Sequence, residues 1–214
     1  MNIPGKGILL QNLNITGGSR GVWVNRGSNA VLNNNLIQTS SGDGVLVDEL
    51  AFAVLTNNTV QNHPGAGVLV SENSTARIGF NADTDTAASP NTIQNNSADG
   101  IIVSNGSSAR IVGNNVNSNG ANGIFVIRDS SADIASNTIS DNADGIHVKE
   151  NSIVQLGEDS GASIYQSSNA TTSMNTGFAI RCLNGSVADG RIGALSGMSG
   201  TMNFSSECID SVVP

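Results

Sequence analysis

Gly21-Val22-Trp23-Val24, Gly44-Val45-Leu46-Val47 and Gly67-Val68-Leu69-Val70 are one four-residue motif written three times at intervals of 23 residues. The motif returns as Gly100-Ile101-Ile102-Val103, Gly123-Ile124-Phe125-Val126 and Gly145-Ile146-His147-Val148, with a degenerate seventh copy at Gly177-Phe178-Ala179-Ile180. Successive glycines lie 23, 23, 33, 23, 22 and 32 residues apart, so two repeats carry insertions, near 81–89 and 157–176. A fixed period of this length is the mark of a stacked repeat architecture, in which no unit buries its apolar face alone.

Two further short strands follow each motif. One begins with Ala30-Val31-Leu32, Ala53-Val54-Leu55, Ala76-Arg77-Ile78, Ala109-Arg110-Ile111, Ala132-Asp133-Ile134 and Val154-Gln155-Leu156. The other opens on an asparagine: Asn35, Asn58, Asn91, Asn114 and Asn137. Three strands per repeat predict an all-β, single-stranded right-handed parallel β-helix of 7–8 coils with about 23 residues per coil and three parallel sheets. Strand alternation points the Val and Ile of the first motif inward and its variable middle residue outward. The asparagines, one per coil at an equivalent place, are expected to pair their amides along the axis, because an unpaired buried amide costs a few kcal/mol. Residues 1–214 read as one domain, with clear repeats over 8–156 and a terminal cap over 181–214.

The repeat Gly-Ile-x-Val…Ser-x-Ala-x-Ile…Asn-Thr-Ile…Asn resembles that of the pectin-lyase-like superfamily, clearly over 8–156 and loosely over 157–192. The resemblance implies the fold; for activity it spans lyases, hydrolases, uronan epimerases, tailspikes and non-catalytic repeats. A polygalacturonase-like chain would show Asn-Thr-Asp, paired aspartates, Gly-His-Gly and Arg-Ile-Lys. Asp83-Thr84-Asp85, Gly145-Ile146-His147 and Arg191-Ile192-Gly193 do not match them. The Asp-Pro-His-Asp of epimerase-like chains and the Arg-x-Pro-x-x-Arg of pectate-lyase-like chains are absent as well. The expected function is therefore a non-catalytic or carbohydrate-binding β-helix. The alternative is a lyase, hydrolase or epimerase acting on an acidic polysaccharide in a groove along the first sheet.

Composition narrows the partners. Seventeen acids against nine Lys and Arg give a net charge of −8, which disfavours nucleic acid and acidic membrane surfaces. No apolar run approaches the ~20 residues of a membrane span, and the opening Met-Asn-Ile-Pro-Gly-Lys-Gly has no signal-peptide core. Cys182 and Cys208, 26 residues apart, suit a disulfide one coil up. A bridge would place the protein outside the cytoplasm, with its leader missing from this chain; a cytoplasmic protein with two buried thiols is the other reading.

The middle residues Trp23, Leu46, Leu69, Ile102, Phe125 and His147 form one outward row, read as an apolar stripe that marks a contact surface. Its cover is expected to be a second copy of the chain, the chain's own tail or insertion, or an elongated polysaccharide. The uncapped strand Gly7-Ile8-Leu9-Leu10 also invites pairing. Asp99, Asn122 and Asp144, with Asp43 further along, precede the repeat glycines in one column; they are either turn residues or oxygen ligands for calcium. Asp48, Glu49 and Glu72 gather at the turn after the first strand in neighbouring coils; they are either carboxylates close enough for raised pKa values or a cation, or solvated turn residues, with Arg26 placed to neutralise Glu49. His147 beside Asp144 and Lys149 is the candidate general base, with Asp144 and Asp99 as the candidate acids. His63, in Gln-Asn-His-Pro-Gly, reads as structural.

Overall fold

The computed structural model describes residues 7–157 and 167–213. It is a three-sided parallel β-helix. The eight-stranded sheet runs in order from Val22–Val24 through Val45–Val47, Val68–Val70, Ile101–Ser104, Ile124–Ile127, Ile146–Lys149 and Phe178–Cys182 to Gly200–Phe204. A nine-stranded sheet begins at Ile8–Gln11 and Asn29–Asn33 and ends at Ile209–Val213, and a six-stranded sheet runs from Asn14–Thr16 to Thr138–Ser140. Within each sheet, among the described residues, neighbouring strands come from equivalent places in successive coils and pair parallel, for example Val22↔Val45, Ala30↔Ala53 and Ile37↔Val60. Parallel strands joined by crossovers of this kind wind right-handed in almost all proteins. The inward residues, such as Leu32, Ile37, Val45, Leu55, Ile93, Ile124 and Ile146, are fully buried in one continuous core.

The repeat glycines are required by close approach between coils. A Cβ on Gly44 would sit 2.6 Å from the carbonyl oxygen of Gly67 and 2.5 Å from Val60 Cγ1. The seventh copy is in a different register from the sequence reading. Ile146 pairs with Ile180, His147 with Arg181 and Val148 with Cys182, so Ala179 takes the glycine's place and Gly177 belongs to the preceding turn. A two-residue shift keeps the inside–outside alternation, which is why the pattern alone did not reveal it.

Each corner of the helix solves the same problem in the same way. A residue with positive φ turns the chain, and the residue after the turn is polar and buried. Asn34 and Asn57 (φ 55° and 58°) precede Asn35 and Asn58; Asn95 and Ser118 (φ 56° and 55°) precede Asn96 and Asn119; Glu72-Asn73 and Arg128-Asp129 precede Ser74 and Ser130. In the first ladder the amide of Asn35 donates to Asn58 Oδ1, Asn58 to Asn91, Asn91 to Asn114 and Asn114 to Asn137, all at 2.9–3.0 Å. It continues to Asn169. Each Oδ1 also accepts the backbone N–H of the residue one coil before, and each Nδ2 also donates to a strand carbonyl, as Asn114 does to Ile78.

Two more ladders escaped the sequence reading. Asn96, Asn119, Asn142 and Asn175 form a second amide column. At the third corner the hydroxyls of Ser74, Ser107, Ser130, Ser152 and Ser186 each accept an N–H from the coil before. His63 occupies the second amide column. Its Nδ1 accepts the Ser40 N–H at 3.2 Å and its Nε2 faces the Ile37 carbonyl at 3.1 Å, reproducing the two ends of an asparagine amide.

The insertion near 81–89 folds against the outer side of the nine-stranded sheet. Phe80 is fully buried there with Val112 and Ala135, and Asp83 pairs with both Arg77 and Arg110. The second insertion, 157–176, falls in part outside the described residues. Cys182 and Cys208 are bridged across one coil, with Cα atoms 5.8 Å apart.

Two outcomes follow from the ladders. Asn114→Leu leaves the Asn91 backbone N–H without its acceptor in the core, removes one of the two acceptors of the Asn91 side-chain amide, and takes a donor from the Ile78 carbonyl and from Asn137 Oδ1. It is expected to cost about 3 kcal/mol, read as a lower denaturant midpoint with unchanged slope. His63 is held below its ordinary pKa of 6.5 chiefly by burial, against the opposing pull of the Ile37 carbonyl and Asp43. The unfolded chain therefore takes up this proton first, and stability present above pH 6.5 falls as the pH drops below it. His63→Asn, which restores the column's amide, is expected to flatten that part of the stability–pH curve relative to wild type while changing little at pH 8.

Candidate functional site

The outward row of the eight-stranded sheet is where the geometry differs most from the sequence reading. Trp23, Leu46, Leu69, Ile102, Phe125 and His147 do align by register. They do not make a continuous exposed stripe: Leu46 is only 4% exposed, and Leu69, Ile102, Phe125 and His147 are half-buried. At ~4.8 Å between strands, large side chains shield those above and below. Trp23, at the end of the row, is 50% exposed, and it is fixed there by an indole N–H donated to Asp48 at 2.7 Å and by Arg20 stacked 5.2 Å from the ring.

The other end of the row is chemically richer. Arg181 continues it beyond His147, a position the sequence reading missed because it placed Ala179 there. The Phe125 and His147 rings lie 5.0 Å apart at a tilt of 35°, and the Lys149 ammonium sits 5.5 Å from the Phe125 centroid. Arg181 lies 5.2 Å from the Phe178 ring, with Nε 2.9 Å from Asp144 Oδ2 and Nη2 donating to Asp144 Oδ1. Lys149 pairs with Glu150 at 3.4 Å. Two cations are thus anchored on aromatic faces on either side of one imidazole.

That imidazole is neutral. Burial pulls His147 down to about 4; Asp144 opposes the shift, and Arg181 and Lys149 add to it. Its Nε2 is buried without a hydrogen-bond partner among the described residues. A buried polar atom without a partner is uncommon in a native fold and points to a missing contact.

The acidic column is committed to the backbone. Asp43 accepts the Ala66 N–H, Asp99 accepts both the N–H and the side-chain amide of Asn122, and Asp144 accepts the Phe178 N–H, all across one coil. Asp99, raised by burial against its bonds from Asn122, lies two coils from Asp144, about 10 Å by strand spacing. The structure therefore does not bring Asp99, Asp144 and His147 to one reacting atom. Among the described residues no group of three or more His, Cys, Asp or Glu stands ready to hold a metal ion. Asp48 is engaged by Trp23, and Glu49 by Arg26 at 3.2 Å, on an exposed turn. His63 is sealed in its ladder.

Comparison with known proteins gives the fold firmly. No curated protein sequence matches the chain significantly. Among solved structures, the A-module of Azotobacter vinelandii mannuronan C-5 epimerase AlgE6 superposes with a TM-score of 0.59 at 15% identity, covering 97% of this chain and 58% of that one. The AlgE4 A-module of the same organism gives 0.50 at 14% identity, covering 92% and 63%. The chain thus spans about three fifths of the length of these modules. A family model described as a right-handed beta helix region matches residues 3–83 and 76–178. On the coil-by-coil register and this match, the chain belongs to the right-handed β-helix family.

Proposed function

We propose that this protein is a carbohydrate-binding β-helix that holds a carboxylate-bearing saccharide against the eight-stranded sheet at Phe125, His147, Lys149 and Arg181. The observation that carries the reading is the change along the outward row, from Leu46, Leu69 and Ile102 to Phe125, His147 and Arg181, with both cations anchored on aromatic rings. An aromatic face suits the apolar side of a sugar ring, and a guanidinium held in place loses little freedom on pairing with a carboxylate. The fold shared with modules named for mannuronan C-5 epimerisation supports a uronan as the ligand class. The Cys182–Cys208 bridge supports an exported protein.

Binding without chemistry is favoured because Asp144 and Asp99 are occupied by backbone N–H groups and the Asp-Pro-His-Asp string is missing. The neutral His147 favours the second reading, an epimerase or lyase using it as a base, since an unprotonated imidazole is the form that accepts a proton.

Titration with polymannuronate and polygalacturonate oligomers tests the first reading. Arg181→Ala and Lys149→Ala are each expected to weaken binding about tenfold, roughly 1.4 kcal/mol. Affinity is expected to stay level from pH 8 to 6, where His147 remains neutral. Equal binding by wild type and both variants sinks the site. For the second reading, incubation of polymannuronate in heavy water is followed by NMR: deuterium at C5 or new unsaturated ends, lost in His147→Gln, would make the protein an enzyme, whereas binding with no such change leaves it a binding module.

A further inference from the structure

The six-stranded sheet has an outer face unlike the rest of the molecule. Its strands point Ile37, Val60, Ile93, Val116 and Ile139 inward and two side chains per strand outward. None of its six strands contains a Lys, Arg, Asp or Glu, in a chain that carries 17 acids and nine Lys and Arg. One outward column holds a hydrogen-bonded run of amides, in which Gln94 donates to Gln61 at 2.9 Å and Gln61 to Gln38 at 3.1 Å, and Gln38 reaches across to Asn14 of the adjoining column at 3.4 Å. Each link uses one of the two N–H groups of a glutamine, so the other remains available. In the adjoining column Thr59 and Thr92 stand side by side, and the hydroxyls of Thr59, Thr92 and Thr138 have no partner among the described residues.

We propose that this face binds an extended, uncharged polysaccharide, whose hydroxyls exchange hydrogen bonds with the threonine hydroxyls and the unused amide N–H groups. The lack of charge selects the partner. A uronan would find no cation here, and the net charge of −8 would repel it. The repetition selects a polymer, because Thr59 with Gln61 and Thr92 with Gln94 repeat at the ~4.8 Å strand spacing, and hydroxyls and amides, broken only at Leu36, continue over the six strands for roughly 25 Å. The amide chain holds its members in one orientation, so little side-chain freedom is lost on contact. Leu36 and Asn115 interrupt the threonine column, and long amides rather than methyls flank it, which favours a hydroxyl-bearing chain over an ice lattice. This inference is independent of the acidic-saccharide site, which lies on another sheet.

The test is retention of the purified protein on cellulose, chitin, mannan and mixed-linkage β-glucan in about 1 M salt, where charge–charge attraction is screened beyond ~3 Å. Binding to at least one of the four is expected, weakened tenfold or more by Thr92→Glu with Gln94→Glu and several-fold by the milder Thr59→Ala with Thr92→Ala. Gln155→Glu, on the nine-stranded sheet, is expected to leave it unchanged. Circular dichroism and thermal unfolding of each variant separate lost contact from lost fold. The proposal is overturned if none of the four polymers retains the protein, if folded variants bind as the wild type does, or if the protein instead produces thermal hysteresis that these substitutions abolish.

Discussion

The constraint on which this molecule depends is that every coil must turn three corners, and each corner carries backbone and side-chain polar groups into the interior. Stacking at the strand spacing supplies the remedy. A buried amide in one coil meets the same amide one step along the axis, so donor and acceptor are satisfied by repetition. Two columns of amides and one of serine hydroxyls thus convert a cost of a few kcal/mol per group into paired contacts. The price falls on any single departure, because each ladder member serves partners on both sides.

The unusual composition follows from the same geometry. Left-handed backbone at the corners favours Asn and Gly, and the residue behind each turn must be small and polar. With the strands themselves short, few positions remain for charge: some fall at the turns, as in the Arg26–Glu49 and Arg128–Glu150 pairs, and others at outward strand positions, as with Arg77, Arg110 and Asp133. His63 shows how narrow the requirement is: an imidazole is accepted in an amide column because its two nitrogens fall where the amide oxygen and nitrogen would.

Function is written on the outward positions, which the scaffold leaves free to vary. The eight-stranded sheet passes from aliphatic packing to an aromatic and cationic end, whereas the six-stranded sheet presents hydroxyls and amides without charge. One backbone repeat therefore displays two chemically distinct surfaces, each with a spacing fixed by the sheet.

The sequence by itself determined the period, the three strands per coil, the inward residues and the first asparagine column, because stacking forces equivalent residues to recur at equal intervals. The second amide column and the serine column were present in the same repeats, yet Asn96 or Ser107 looks like an ordinary turn residue until its neighbour one coil away is known. Arg181 was hidden for a different reason: the insertion before it has no repeat spacing, and the glycine at 177 belongs to a turn rather than to the strand motif. Tertiary structure alone decided that Leu46 is covered while Trp23 is not, that Asp99 and Asp144 are taken up by backbone N–H groups two coils apart, and that Lys149 and Arg181 flank a neutral His147. Exposure, partnering and charge state depend on neighbours one coil away in space, and a residue's type and position along the chain do not record them.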